Sequence, residues 1–157
     1  MTNLIKLTQG KFTLVDDEDC KKTFGYKWCV LARGYVGRTI TVKDGHKRTI
    51  YLHNIIMPKK VGFEIDHINR NKLDNRKNNL RYCSRSQNIW NRGIQKSNTS
   101  GFNGVTWHKR IKKWQVRIAI NNKRLHLGYF SDIKLAADTY NAYATSLHGK
   151  FASLNII

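Results

Sequence analysis

Acidic side chains are scarce in this chain: 10 Asp and Glu stand against 29 Lys and Arg, a formal net charge of +19. That balance points to a polyanion as partner, because each neutralised phosphate releases condensed counterions. The excess is not a tail. Residues 1–50 carry 10 basic and 5 acidic side chains, residues 51–100 carry 10 and 3, and residues 101–157 carry 9 and 2. Long apolar runs are missing as well. The longest, 28–32, has five residues, too few for a membrane span or a signal segment. No basic amphipathic helix offers an apolar face to an anionic membrane. Cysteine is limited to Cys20, Cys29 and Cys83, an odd count with no CxxC. A zinc ribbon or disulfide framework is therefore not expected, and buried free thiols in a reducing, intracellular compartment are. Internal repeats and low-complexity tracts are also absent.

What is there suits one domain or two small ones, since 157 residues with 40% apolar content can build a core. Residues 1–50 read as β-rich, with strands in 4–15 broken at Gly10, then 26–32 and 34–42, and a hairpin turn at Asp44-Gly45. The acidic stretch 16–24 is a polar turn or a short helix. A return strand over 47–52 runs into a short helix at 53–57 that Pro58 ends. Short strands are expected at 63–66 and 80–83, joined by an asparagine-rich loop, with Ser84 capping a helix to about residue 91. Residues 92–100 are polar and read as a linker. Beyond it, strands at 104–110, 113–120 and 123–130 precede a helix over 131–149, with a tight turn at Asn121-Asn122. Ile133, Ala136, Ala137, Tyr140, Ala144 and Leu147 recur on one face of that helix; Ser131 would cap its start and Gly149 its end. The expected fold class is α+β.

The stretch EIDHINRNKLDNRKNNLRYCSRSQN, residues 64–88, carries the chemistry. Phosphodiester hydrolysis needs a base for water, a hard cation for the charge that develops on phosphate, and a frame that holds both. Asp66 is a hard oxygen donor, His67 a base, Asn88 an amide oxygen, and Asn79 can tie the loop to its backbone. A lone Asp-His pair means little, but the whole pattern resembles the HNH motif of phage and intron homing endonucleases, built on the ββα-metal (His-Me finger) unit. The resemblance implies His67 as general base, Asp66 and Asn88 as ligands of Mg²⁺ (or Mn²⁺), and Asn79 as the asparagine that braces the loop and orients the histidine. Many members have histidine where this chain has Asn88. His53 also matches a position of this subtype, and a structural hydrogen bond is expected of it. Lys72, Arg76, Lys77, Arg81 and Arg85 flank the motif and are expected to meet phosphates.

Residues 101–154 resemble an AP2 (ERF-type) DNA-binding domain through Gly104-Val105, Lys113-Trp114, the run from Leu127 to Phe130, Ala136-Ala137, Tyr140, Gly149-Lys150 and Leu154-Asn155. That family lays its three-stranded sheet in the major groove. The contact positions fall on Asn103, Thr106, His108, Arg117, Arg124 and His126, with Arg117 in place of an acid. Trp107, Trp114 and Tyr140 are expected to support the sheet or core.

Together these features imply an HNH–AP2 homing endonuclease with a β-rich N-terminal region and nuclease unit over 1–91 (core 52–91), a linker over 92–100, and an AP2-like domain over 101–157. Its substrate is double-stranded DNA, bound as a monomer that nicks. Its place is the cytoplasm of a bacterial host cell, at the nucleoid, with no membrane partner. The rival readings are an AP2-type regulator with an inactive nuclease and an RNA-binding protein. The intact motif argues against the first; aromatics better suited to a core than to stacking on an open sheet argue against the second.

Overall fold

A computed structural model describes residues 1–121 and 123–157. The chain forms two compact units, Met1–Ser84 and Arg85–Ile157, each a mixed α/β arrangement of small sheets and few helices.

In the first unit, β1 (Thr2–Lys6) and β2 (Phe12–Asp16) form an antiparallel hairpin. It turns at Gly10, whose φ of 73° suits a residue without Cβ. The acidic stretch is α1 (Asp17–Thr23), with Asp17, Glu18 and Asp19 in its first turn, where they complement the helix dipole. A three-stranded sheet follows from β3 (Cys29–Val30), β4 (Val36–Thr41) and β5 (Lys47–Tyr51), then α2 (Leu52–Ile56). The strand expected over 26–32 shrinks to two residues because Trp28 is fully buried and gives its indole N–H to the Thr23 carbonyl at 3.0 Å. β6 (Glu64–His67) and β7 (Leu80–Cys83) pair antiparallel. Leu80 joins Leu7, Val15, Trp28, Val36, Leu52 and Ile56 in one core, so the N-terminal strands and the β6–β7 pair share it.

The second unit starts with α3 (Arg85–Trp90) and continues with β8 (Val105–His108), β9 (Lys113–Ile120) and β10 (Lys123–Phe130) in the order β10-β9-β8, all antiparallel. Asn122 of the expected Asn121-Asn122 turn lies outside the described residues; Asn121 takes a φ of 49°. α4 (Ile133–His148) packs Ala136, Ala137, Tyr140 and Ala144 against Val105, Val116 and Ile118. Its cap is Asp132, which accepts from the backbone N–H of Lys134 and Leu135, rather than Ser131; a carboxylate at this position also suits the dipole. α3 belongs to this unit because Trp90 stacks on His148, centroids 4.3 Å apart and planes 8° apart, while His148 Nε2 donates to the Ala119 carbonyl at 2.8 Å. The boundary therefore precedes α3, ahead of the linker expected at 92–100.

One close approach fixes this unit. Gly104 has a φ of 72°, and a Cβ there would strike the Tyr140 ring and lie 2.6 Å from the Arg117 carbonyl oxygen. Gly104→Ala is expected to cost about 3 kcal/mol through strain and overpacking, read as a lower urea midpoint. An unchanged midpoint would contradict the packing described.

Candidate active site

β6 ends in Asp66 and His67, which the pleat sends to opposite faces. Both are buried. Asp66 stands in register with Arg81 on β7, and Arg81 Nε at 2.9 Å and Nη2 at 2.8 Å both reach its Oδ2. His67 Nε2 lies 3.2 Å from Oδ1 of Asn75, a residue with no exposure.

This last contact fixes a tautomer. The Asn75 amide nitrogen donates to Thr13 Oγ1 at 2.9 Å and to the Lys72 carbonyl at 3.3 Å. A carbonyl only accepts, and the Thr13 hydroxyl already donates to the Leu73 carbonyl at 2.7 Å. The network therefore assigns the Asn75 nitrogen to that side and Oδ1 to His67. Nε2 must then carry hydrogen, and the basic lone pair resides on Nδ1. Burial lowers the His67 pKa from its usual value near 6.5, against the raising effects of Asn75 and Asp66. The ring is thus neutral at pH 7, as a base must be.

The loop between β6 and β7 replaces regular structure with asparagine side chains. Asn79 Oδ1 accepts from the Asn69 N–H at 2.9 Å, and its Nδ2 donates to the Asp74 carbonyl at 2.7 Å, so one side chain ties two points of the loop. Asn69 and Asn71 accept from Asn71 and Leu73 N–H groups. Asp74 takes a fork from Arg76 at 2.8 and 2.7 Å, which holds its pKa below the usual carboxylate value. β2 supports the same loop: the Leu14 N–H meets the Leu73 carbonyl, and the Asn75 N–H meets the Leu14 carbonyl.

His53, on α2, lies beside this site, its ring 5.5 Å from that of His67 and 5.2 Å from Tyr35. The expected structural hydrogen bond is missing at Nδ1, which is buried without a partner among the described residues. The ring instead stacks on Tyr51 at 5.4 Å. Burial, then the His67 charge, then Lys59 push its pKa down to about 4.

Four of the five basic side chains expected to meet phosphates have partners within the protein. Lys72 Nζ donates to the Arg33 carbonyl at 2.7 Å and lies over the Tyr35 ring, Arg76 grips Asp74, and Lys77 pairs with Glu18 at 2.5 Å and Asp19 at 3.3 Å. Arg81 holds Asp66. Sequence reasoning missed Asn75 and Thr13, whereas the local side-chain hydrogen bonds expected of Asp74 are present. Asn75 was visible only as one asparagine among many, and nothing local marks Thr13. Cys83 is buried and its thiol pushed up to about 11 by desolvation, whereas Cys20 and Cys29 are only half-buried, unlike the expectation for all three.

Asn88 and Arg85 lie on α3, in the second unit. There, register puts Thr106, His108, Arg117, Arg124 and His126 on the sheet face away from α4. Gln115 and Tyr129 share that face, the Gln115 amide donating to the Tyr129 hydroxyl at 3.1 Å. Asn103 is tied down instead: its Nδ2 donates to Ser153, and its backbone exchanges hydrogen bonds with the Asn155 side chain. Trp114 and Tyr140 join the core, and Trp107 packs edge-on against Trp114.

Among the described residues no cluster of three or more His, Cys, Asp or Glu could hold a metal. The buried Asp66 carboxylate is by itself a hard oxygen donor of the kind that suits a cation keeping several waters and phosphate oxygens as its other ligands. No described helix is long and apolar enough to cross a membrane.

A family model described as HNH endonuclease matches residues 51–89. Protein 3.8 of Escherichia phage T7 is 34% identical over 95 residues, 60% of this chain and 78% of that protein. An uncharacterised HNH endonuclease of Acanthamoeba polyphaga mimivirus is 27% identical over 152 residues, 95% of this chain and 77% of the viral one. No solved structure matches.

Proposed function

Since the chain belongs to the HNH endonuclease family and is a DNA-cleaving nuclease, we propose that it is a homing-type enzyme of a phage or mobile element, with His67 Nδ1 as the base that takes a proton from the attacking water. The observation that carries this is the contact between His67 Nε2 and the oriented Asn75 amide, which leaves the lone pair on Nδ1 of a neutral, buried ring. Asn79 keeps the loop folded around that ring. HNH nucleases use a divalent metal ion, and Mg²⁺ (or Mn²⁺) is the assignment that hard oxygen donors favour, with Asp66 and Asn88 as ligands. When bound, such a cation stabilises charge on the scissile phosphate and the departing 3′ oxygen. Arg81 pairs with Asp66 across the buried strand pair.

The C-terminal unit is proposed as an AP2-like reader of duplex DNA. Its support is the three-stranded sheet with α4 on one face and Thr106, His108, Arg117, Arg124 and His126 on the other. A sheet can enter the major groove, and tethering a reader to a cutter raises the local concentration of the cut site. Asn103 also supports the loop ahead of β8. Arg85 remains a proposed phosphate contact, while Lys72, Arg76 and Lys77 could serve only if their internal partners released them. One motif holds one base, so a monomer that nicks one strand per encounter is the simplest activity. The phage and viral relatives suit work in the host cytoplasm.

A supercoiled plasmid carrying the element's presumed insertion locus tests this. Open-circle product is expected with Mg²⁺ or Mn²⁺ and none with EDTA. Cleavage undiminished by EDTA would sink the metal assignment; retarded but uncut plasmid under every condition would sink the proposed chemistry.

A further inference from the structure

The second unit contains a cleft of about 350 Å³ whose lining includes Arg92, Gln95, Thr106, Arg117 and Arg124. Ile118, Ala119 and the Trp90–His148 stack form its apolar side. Arg117 and Arg124 stand diagonally across β9 and β10 on the face away from α4: Arg117 opposes His126, and Arg124 opposes Ala119. Diagonal neighbours of this kind lie within reach of long side chains. Arg92 comes from another direction, from the segment after α3 that the sequence reads as a mere linker.

Three arginines lining one space repel one another unless an anion joins them. The described residues supply none. Among the described residues none of the three forms an ion pair with a carboxylate, and the unit has only two acids, Asp132 and Asp138. Asp132 is engaged at the cap of α4. The apolar wall lowers the local dielectric and strengthens the field inside the cleft. Guanidinium forks match phosphate oxygens in pairs, and the Thr106 hydroxyl and Gln95 amide add neutral donors suited to the same oxygens. A base edge needs a single bidentate partner, whereas three cations lining one cleft suit a group of higher charge density.

We propose that this cleft is a phosphate-binding site that clamps one backbone phosphate of duplex DNA, with Arg92 as a DNA contact alongside Arg117 and Arg124. The proposal rests on reading the sheet as the DNA-binding face and adds the segment after α3 to that face. In this arrangement the chain just beyond Asn88 is anchored to the DNA backbone by the module that reads the sequence. Such a contact carries no sequence information; it fixes register.

The test is a salt titration of binding to a short duplex in EDTA, with wild type, Arg92→Ala, Arg92→Lys, Arg124→Ala and, as a control on the exposed side of α4, Lys134→Ala. For Arg92→Ala we expect about tenfold weaker binding at low salt, equal for specific and unrelated duplexes, and a log–log salt slope shallower by about 0.9, the value for one lost phosphate contact. Arg92→Lys should keep the slope and lose part of the affinity, because it retains the charge without the fork. Lys134→Ala should match wild type. If Arg92→Ala keeps the wild-type slope while Arg124→Ala loses affinity, the clamp is wrong and the sheet reading stands. If neither arginine variant differs from wild type, the sheet reading fails with it. If Lys134→Ala weakens binding as much as Arg92→Ala, the effect is overall charge and the cleft is not a site. A final arm adds inorganic phosphate to the protein alone. A rise in melting temperature that Arg92→Ala abolishes, without any change in duplex binding, would make the cleft a small-anion site and overturn the DNA assignment.

Discussion

His67→Ala is expected to slow strand cleavage about 10²- to 10⁴-fold while leaving duplex affinity in EDTA nearly unchanged, because it removes proton transfer and little binding surface. The informative companions are at Asn75. Its Oδ1 accepts from His67 Nε2 and thereby favours the charged ring. Asn75→Ala removes that support, so the pKa of His67 should fall and the acid limb of the cleavage profile should move to lower pH, with a reduced plateau. Asn75→Asp puts a carboxylate against the ring, and the limb should move to higher pH. A residue that merely filled space would lower the plateau without moving the limb in opposite directions. Full cleavage by His67→Ala would place the base elsewhere, even in a working nuclease.

Acid destabilisation is the second large effect. The His53 pKa stands at about 4 in the folded unit against 6.5 for an ordinary histidine. Between these values the unfolded chain binds more protons than the native one, so stability rises with pH across the window and is lost as pH falls through it. The full shift corresponds to a ceiling of about 3 kcal/mol. His67, lowered for the same reason, acts in the same direction. Urea midpoints taken from pH 7 down to pH 4 should fall steadily in wild type. His53→Phe, which keeps an aromatic ring against Tyr35 and Tyr51 but cannot titrate, should flatten much of that fall. An equal slope in both proteins would mean that water reaches the ring and that the burial described for it is wrong.

Many of the elements were legible because short-range physics sets them. Gly10 and Asp44-Gly45 sit at turns, Pro58 follows α2, and the spacing of Ala136, Ala137, Tyr140 and Ala144 marks the buried stripe of α4. The local geometry of the motif was legible for the same reason: Asp66 and His67 are adjacent, and Asn79 acts on Asn69 and Asp74 within one loop. The fate of the basic side chains was not. Arg76, Lys77 and Arg81 look like a solvated strip in one dimension, yet Lys77 meets Glu18, and Arg81 meets Asp66 across the strand pair.

By itself the sequence determined the charge, the order of strands and helices, and the Asp-His motif with its bracing asparagine, because composition and near-neighbour patterns encode all three. Only the tertiary structure decided which nitrogen of His67 keeps its lone pair. That choice depends on Asn75, whose flip is set by Thr13 on β2, a hydrogen bond spanning 62 positions. It also decided that α3 belongs with the C-terminal sheet, through Trp90 on His148. Contacts between distant residues leave no period in the sequence, and burial, which shifts a pKa and selects a tautomer, exists only once the chain has closed around them.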